Sequence, residues 1–320
     1  MGAATSISGR SRFFCGRMSP VRLSSISLLL FLPLVLTAQD PVFRTGVSLV
    51  RIDAQATGGA GLIDGLGKDD FLVRDNGIVQ SILYVSQDED PLDLMLLFDV
   101  SGSMLPAVRR LAVSAHTALS ELRKGDRVAV ADFNTSASLL APFNGNLDEV
   151  VQKVGDIVDV RFGGGTFILK ALDDAAQYFS HNADEHRRHA VLIFTDDEGQ
   201  CSASEKKVVD HLWQSDILVC GLIVPTTPLI RTGFPTLGSC ESMRGSAEKT
   251  GGETVNADDP GHAFREMVRR MRKRYSIYYA MPAAKAGSAR KVTVELAGAA
   301  RTRYPNGTVL ARKGYLIPKK

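Results

Sequence analysis

Three runs of uninterrupted apolar residues, Leu94–Phe98, Ala190–Phe194 within the strand Ala190–Thr195, and Ile217–Val224, restrict this chain more than any other feature. A strand with no polar face must be covered on both sides, which is the condition of a parallel strand in the middle of a sheet. Helix-spaced segments lie between them. Leu105, Val108, Leu111, Ala112, Ala115, Leu119 and Leu122 fall on one face of a helix that Gly125-Asp126 ends. Arg127–Phe133 reads as a further strand and Ser136–Phe143 as an antiparallel edge strand. Helices are predicted over 147–158, 168–179, 204–214 and 262–274, with a short last strand at Thr254-Val255. Strands alternating with helices give an α/β fold, a mostly parallel sheet with helices on both faces. The apolar share of 44% supplies ample core for it.

The flanks follow another pattern. Ser48, Val50, Ile52, Ala54 and Ala56 alternate along one strand. Asp75-Asn76-Gly77 between Phe71–Arg74 and Ile78–Val85 signals a tight hairpin. Residues 275–281, 291–297 and 308–312 read as β segments that could pair with the leading unit as one accessory β module. The expected division is therefore 1–38, 39–88, 90–274 and 275–320.

Residues 1–38 contain Arg10, Arg12, Arg17 and Arg22 and no acid, then an apolar run from Ile26 to Leu36, then Thr37-Ala38. That is the layout of a secretory signal, with cleavage expected near Ala38 and export to the periplasm or the exterior. An uncleaved anchor is the alternative. The apolar run is short of the roughly 20 residues a spanning helix needs, and no second stretch is long enough to span. Without those four arginines the 38 basic residues become 34, against 35 acidic ones. The net charge of +3 belongs to the leader, so no global basic field attracts nucleic acid. The local run Arg269, Arg270, Arg272, Lys273, Arg274 is expected to be a solvated helix end. Export permits disulfides; Cys201 and Cys240 fall in loops and form the expected pair, whereas Cys220 lies inside an apolar run.

The chemistry gathers where the first buried strand ends. Asp99, Ser101 and Ser103 alternate at the carboxyl edge of the sheet, where open α/β sheets bind ligands. Thr166 follows Gly163-Gly164-Gly165, and Asp196 ends the strand before it. Two carboxylates and three hydroxyls are hard oxygen donors, suited to Mg²⁺, with Mn²⁺ or Ca²⁺ as alternatives. Asp-x-Ser-x-Ser alone could be helix capping, with Ser103 as the cap. The spacing fails the EF-hand pattern, and Gly163–Thr166 lacks the Gly-Lys pair of a phosphate loop. None of the six histidines belongs to the constellation, so no catalytic base is identified and the chain is read as a binding protein, not an enzyme.

Asp99-x-Ser101-x-Ser103, Thr166 after a glycine run, and Asp196 in Phe194-Thr195-Asp196 resemble the metal-ion-dependent adhesion site of von Willebrand factor A domains. The strand and helix order from Leu92 to about Arg274 is similar to that fold throughout. The segments Asp69–Gly77, Arg274–Tyr279 and Arg312–Tyr315 resemble an exported bacterial subgroup. The resemblance implies a protein partner that offers an acidic side chain to a bound divalent cation; the alternatives are a metal-stabilised structural protein and, behind it, a metal-dependent hydrolase. One departure stands out: Asp197 and Glu198 follow Asp196, where the family commonly has Gly. Asp196 is the expected ligand and Asp197 the competitor. The segment 225–245 is expected to tune partner choice.

Overall fold

The computed structural model describes residues 48–184, 186–225 and 242–318. The leader, most of segment 225–245 and Cys240 lie outside the described residues. The chain order opens with β1 (Leu49–Gly58), β2 (Gly61–Leu62), β3 (Phe71–Asp75), β4 (Ile78–Gln80) and β5 (Ile82–Gln87). The α/β part follows as β6 (Leu92–Asp99), α1 (Leu105–Leu119), β7 (Arg127–Phe133), β8 (Ala137–Asn144), α2 (Leu147–Asp156), α3 (Ile168–Asn182), β9 (Arg188–Thr195), α4 (Glu205–Gln214), β10 (Ile217–Ile223), α5 (Met243–Thr250), β11 (Thr254–Asn256) and α6 (Pro260–Arg272). The tail adds β12 (Tyr275–Ala280), β13 (Ala289–Leu296), α7 (Gly298–Arg303), β14 (Thr308–Ala311) and β15 (Gly314–Leu316).

The central sheet has the order β11-β10-β9-β6-β7-β8. All its pairings are parallel except β7 with β8. Every residue of β6, β9 and β10 is buried, the reason these strands carry no polar alternation. One face packs on α1, α2 and α6, the other on α3, α4 and α5. From β6 the chain moves first to β7 on one side and later to β9 on the other. The strand order reverses there, so a crevice opens beyond the carboxyl ends of β6 and β9.

The two flanks interleave. β1 pairs antiparallel with β12 and with β14, and β12 pairs with β5. A second sheet runs β15-β13-β3-β4. Val50, Ile52 and Ala54 of the first sheet share one core with Phe71, Val73, Val292 and Val294 of the second, so the module is a small sandwich. At the Asn76-Gly77 turn, φ values of 48° and 81° fit the primed hairpin that Asn-Gly favours. The segment read as one strand from Ile78 to Val85 is two, β4 and β5, because the chain crosses from one sheet to the other at Ser81.

Buried ion pairs join the sandwich to the amino-terminal edge of the central sheet. Arg188, the first residue of β9, reaches Asp53 at 2.7 Å and the Met271 carbonyl at 2.7 Å. Arg274 also pairs with Asp53 and donates to the Gly251 carbonyl at 2.7 Å. Arg51 and Arg312 share Asp216. The basic run at the end of α6 is therefore not a solvated helix end. Arg272 and Arg274 are buried, and Arg269, Arg270 and Lys273 pair with Glu266, Glu253 and Asp64. A fully desolvated guanidinium needs an acid, and the sandwich and loops supply one to each.

Candidate metal centre

The site grows from two strand ends and one loop. Asp99 is the last residue of β6 and fully buried. Its Oδ1 accepts from the Ser101 backbone N–H at 2.8 Å, and its Oδ2 accepts from the Thr195 hydroxyl at 2.8 Å. Ser101 Oγ lies 3.3 Å from Ser103 Oγ, and Ser103 Oγ donates to Asp196 Oδ2 at 2.7 Å. Four of the five expected residues thus form one connected cluster at the reversal point of the sheet.

The fifth, Thr166, sits on a loop tied to the ends of β6 and β7. Gly163 N–H donates to the Val100 carbonyl at 2.8 Å, and Phe167 N–H to the Asn134 carbonyl at 2.8 Å. These two bonds clamp the loop to the residue after β6 and the residue after β7, and Thr166 is buried between them. Gly163 and Gly164 hold φ values of 137° and 88°, which a residue with a Cβ resists.

Two alternatives left open by the residue pattern are now separated. Ser103 does not cap α1: the cap position is Met104, with no side-chain capping bond, and the Ser103 hydroxyl goes to Asp196. Asp197 turns away from the cluster. Its carboxylate accepts from Ser242 Oγ at 2.8 Å and from Met243 N–H at 2.9 Å, and it lies 3.2 Å from Arg244 Nε. It thus holds the start of α5, leaving Asp196 beside Ser103. Thr195 is a site residue the pattern did not single out. Its hydroxyl positions Asp99 while accepting from Asp197 N–H at 3.1 Å. Its place at a strand end, one residue before Asp196, was the available signal.

Burial pushes the Asp99 carboxyl up to about 6; hydrogen bonds from Ser101 and Thr195 pull it down, and the charge of Asp196 adds to the rise. Among the described residues, no group of three or more His, Cys, Asp or Glu side chains could hold a metal ion. The five expected residues are instead two carboxylates and three hydroxyls. A desolvated carboxylate beside a second one, ringed by hydroxyls, fits a hard divalent cation. Two histidine rings are engaged elsewhere: His189 between the Ser215 and Asp184 carbonyls, and His211 on Asp173. Cys201 is disulfide-bonded and Cys220 is a free, buried thiol; the pairing expected with Cys240 involves a residue outside the described ones.

Residues 94–200 match the family described as von Willebrand factor type A domain. The chain carries a von Willebrand factor A domain. The match runs from within β6 to just past the end of β9 and includes all five expected site residues. Solved structures with a similar fold include an aerotolerance-related membrane protein from Bacteroides fragilis, at 18% identity and TM-score 0.44, covering 56% of this chain and 98% of that one. BatB from Bacteroides thetaiotaomicron is similar at 18% identity and TM-score 0.42, again over 56% of this chain and 98% of its own. A von Willebrand factor type A protein from Catenulispora acidiphila is similar at 12% identity and TM-score 0.45, over 86% of this chain and 74% of its own. No curated protein matches the chain. Among the described residues, no helix of the A domain or its flanks is long and apolar enough to cross a membrane.

Proposed function

We propose that this A domain is an exported protein-binding module that holds a divalent cation, Mg²⁺ in the first place, at Asp99, Ser101, Ser103, Thr166 and Asp196. The observation that supports this most is the chain of contacts from Asp99 through Ser101 and Ser103 to Asp196 at the crevice beyond β6 and β9. When bound, the cation would supply the positive charge that two neighbouring carboxylates lack, and would offer a point of attachment to a carboxylate of the partner. The chain's own residues do the rest. Thr195 and the Ser101 N–H fix the Asp99 carboxylate in one orientation. Ser103 holds Asp196 toward the crevice, while the clamped glycine loop keeps Thr166 at its rim. We read the arrangement as a binding site because, among the described residues, its hydrogen-bonded cluster is made of carboxylates and hydroxyls and includes no histidine.

Calorimetric titration of Mg²⁺ and Mn²⁺ into the parent and into Asp99→Ala tests the reading. Binding of one ion per chain, lost in the variant, is the expected result. A parent that binds neither ion, alone or with a carboxylate ligand such as acetate or a Glu-containing peptide present, would refute it.

A further inference from the structure

Helix α5 meets the candidate metal centre at one end and the sandwich at the other. Its amino-terminal end is gripped by Asp197, whose carboxylate accepts from Ser242 Oγ and Met243 N–H. Asp197 in turn donates its own N–H to Thr195 Oγ1, and Thr195 donates to Asp99 Oδ2. One unbroken series of hydrogen bonds therefore leads from the buried carboxylate of the site to the first turn of α5. The helix body is seated tightly. The Met243 side chain occupies the space where a Cβ on Gly221 of β10 would lie, and Thr250 Oγ1 accepts from the Val219 N–H at 3.0 Å.

The carboxyl end of α5 is equally tied. The Lys249 carbonyl accepts from Lys313 N–H at 2.9 Å and from Trp213 Nε1 at 3.0 Å. The Gly251 carbonyl accepts from Arg274, and a Cβ on Gly251 would sit 2.2 Å from the Arg312 backbone nitrogen. Eight residues of helix span roughly 12 Å, so α5 bridges the site loop and the β14–β15 connection as one rigid piece.

Asp197 also has an awkward backbone. Its φ of 60° is a left-handed conformation that glycine adopts at no steric cost. An acid kept in that conformation is explained by what its carboxylate holds.

We infer that α5 is a coupling strut, with Asp197 as its latch: cation binding at Asp99 and Asp196 is transmitted through Thr195, Asp197 and α5 to the sandwich at Ala311–Lys313. This rests on the cation reading above. Asp197 is a positioning residue and does not touch the ion. A shift at Asp99 reaches Thr195 and Asp197 through hydrogen bonds, and a tightly packed helix carries it onward as a body. By linkage, a partner that engages the sandwich near Arg312–Tyr315 would change cation affinity by the same factor.

The test is amide hydrogen exchange on the full chain with and without Mg²⁺, in the parent and in Asp197→Gly, with Mg²⁺ titration calorimetry on both. Glycine suits the backbone at this position, so the variant folds. In the parent, Mg²⁺ is expected to slow exchange at Lys313 and over Ala247–Gly251 by roughly fivefold or more. In Asp197→Gly, Mg²⁺ still binds but that slowing disappears; without metal, the variant exchanges faster than the parent at Lys313. Slowing retained in the variant, or a parent that binds Mg²⁺ with no change at Lys313, overturns the strut. A parent that does not bind Mg²⁺ refutes the cation reading instead. The strut is then decided by the metal-free comparison, where equal exchange at Lys313 in both proteins overturns it.

Discussion

Replacing Asp99 by asparagine is expected to stabilise the metal-free protein while abolishing cation binding. In the folded chain the Asp99 carboxyl is pushed from 3.8 up to about 6, mainly by burial. At about 1.4 kcal/mol per unit, keeping it ionised at pH 7 costs ~3 kcal/mol. Asparagine removes that cost and retains an acceptor for the Ser101 N–H. Its amide nitrogen then faces Thr195 Oγ1, so the Thr195 hydroxyl loses the acceptor it donated to, at a cost of about 1 kcal/mol. The net gain is ~2 kcal/mol, or roughly 4–8 °C in Tm for a domain of this size. The pH dependence carries the sign. Because the folded pKa is raised above the unfolded one, the folded state binds the extra proton between pH 4 and 6, and the parent loses stability as pH rises through that window. The variant lacks this loss, so the two melting curves diverge from pH 4 to pH 6 and run parallel above it. Thermal melts in EDTA across pH 4–8, repeated with Mg²⁺, measure both halves. A variant no more stable than the parent at pH 7 in EDTA, with the same pH profile, would refute the argument that Asp99 is a desolvated charge awaiting a countercharge.

Ser103→Ala removes the link between Ser101 and Asp196 and should weaken Mg²⁺ binding by roughly tenfold or more, read by calorimetry, with little change in Tm. Gly164→Ala forces a Cβ into a φ of 88° and should cost about 1 kcal/mol in urea unfolding while displacing Thr166 enough to lower Mg²⁺ affinity. Arg274→Met strips one of the two arginines from Asp53 and should cost about 3 kcal/mol, lowering the urea midpoint by roughly 1 M or more. Burial alone would raise the Asp53 carboxyl, but Arg188 and Arg274 outweigh it and hold it below 3.8. Its contribution is therefore complete above about pH 4 and is lost as pH falls below that. Acid unfolding of the parent should steepen there, and Arg274→Met should shallow it.

The buried strands and the Asp99, Ser101, Ser103 spacing were legible because both are local: a run without polar residues, and alternate positions at a strand end. What escaped depends on partners distant in sequence. Along the chain Asp196 is favoured over Asp197 only by its place directly after the strand, and the partners that engage the Asp197 carboxylate, Ser242 and Met243, are more than forty residues away. Helix α5 is missing from the predicted elements because it is short and follows a stretch rich in prolines and glycines. Its signal was the Ser242 cap with Met243, Ser246, Ala247 and Thr250 on one face. The arginines at the end of α6 were read as solvated because their acids, Asp126 for Arg272 and Asp53 for Arg274, lie far away in sequence. β15 and α7 are too short to show a period.

The sandwich has a consequence for how the chain is made. β1 emerges from the ribosome early, yet both of its long partners, β12 and β14, are encoded after the whole A domain. At ordinary rates of synthesis the apolar face of Val50, Ile52 and Ala54 waits on the order of 10–40 s for Tyr275–Ala280 to appear. If the chain is exported, as proposed above, that delay is useful, since a leading segment that cannot close stays threadable. The same delay makes any product truncated before residue 275 an aggregation hazard, with an orphaned strand at its front.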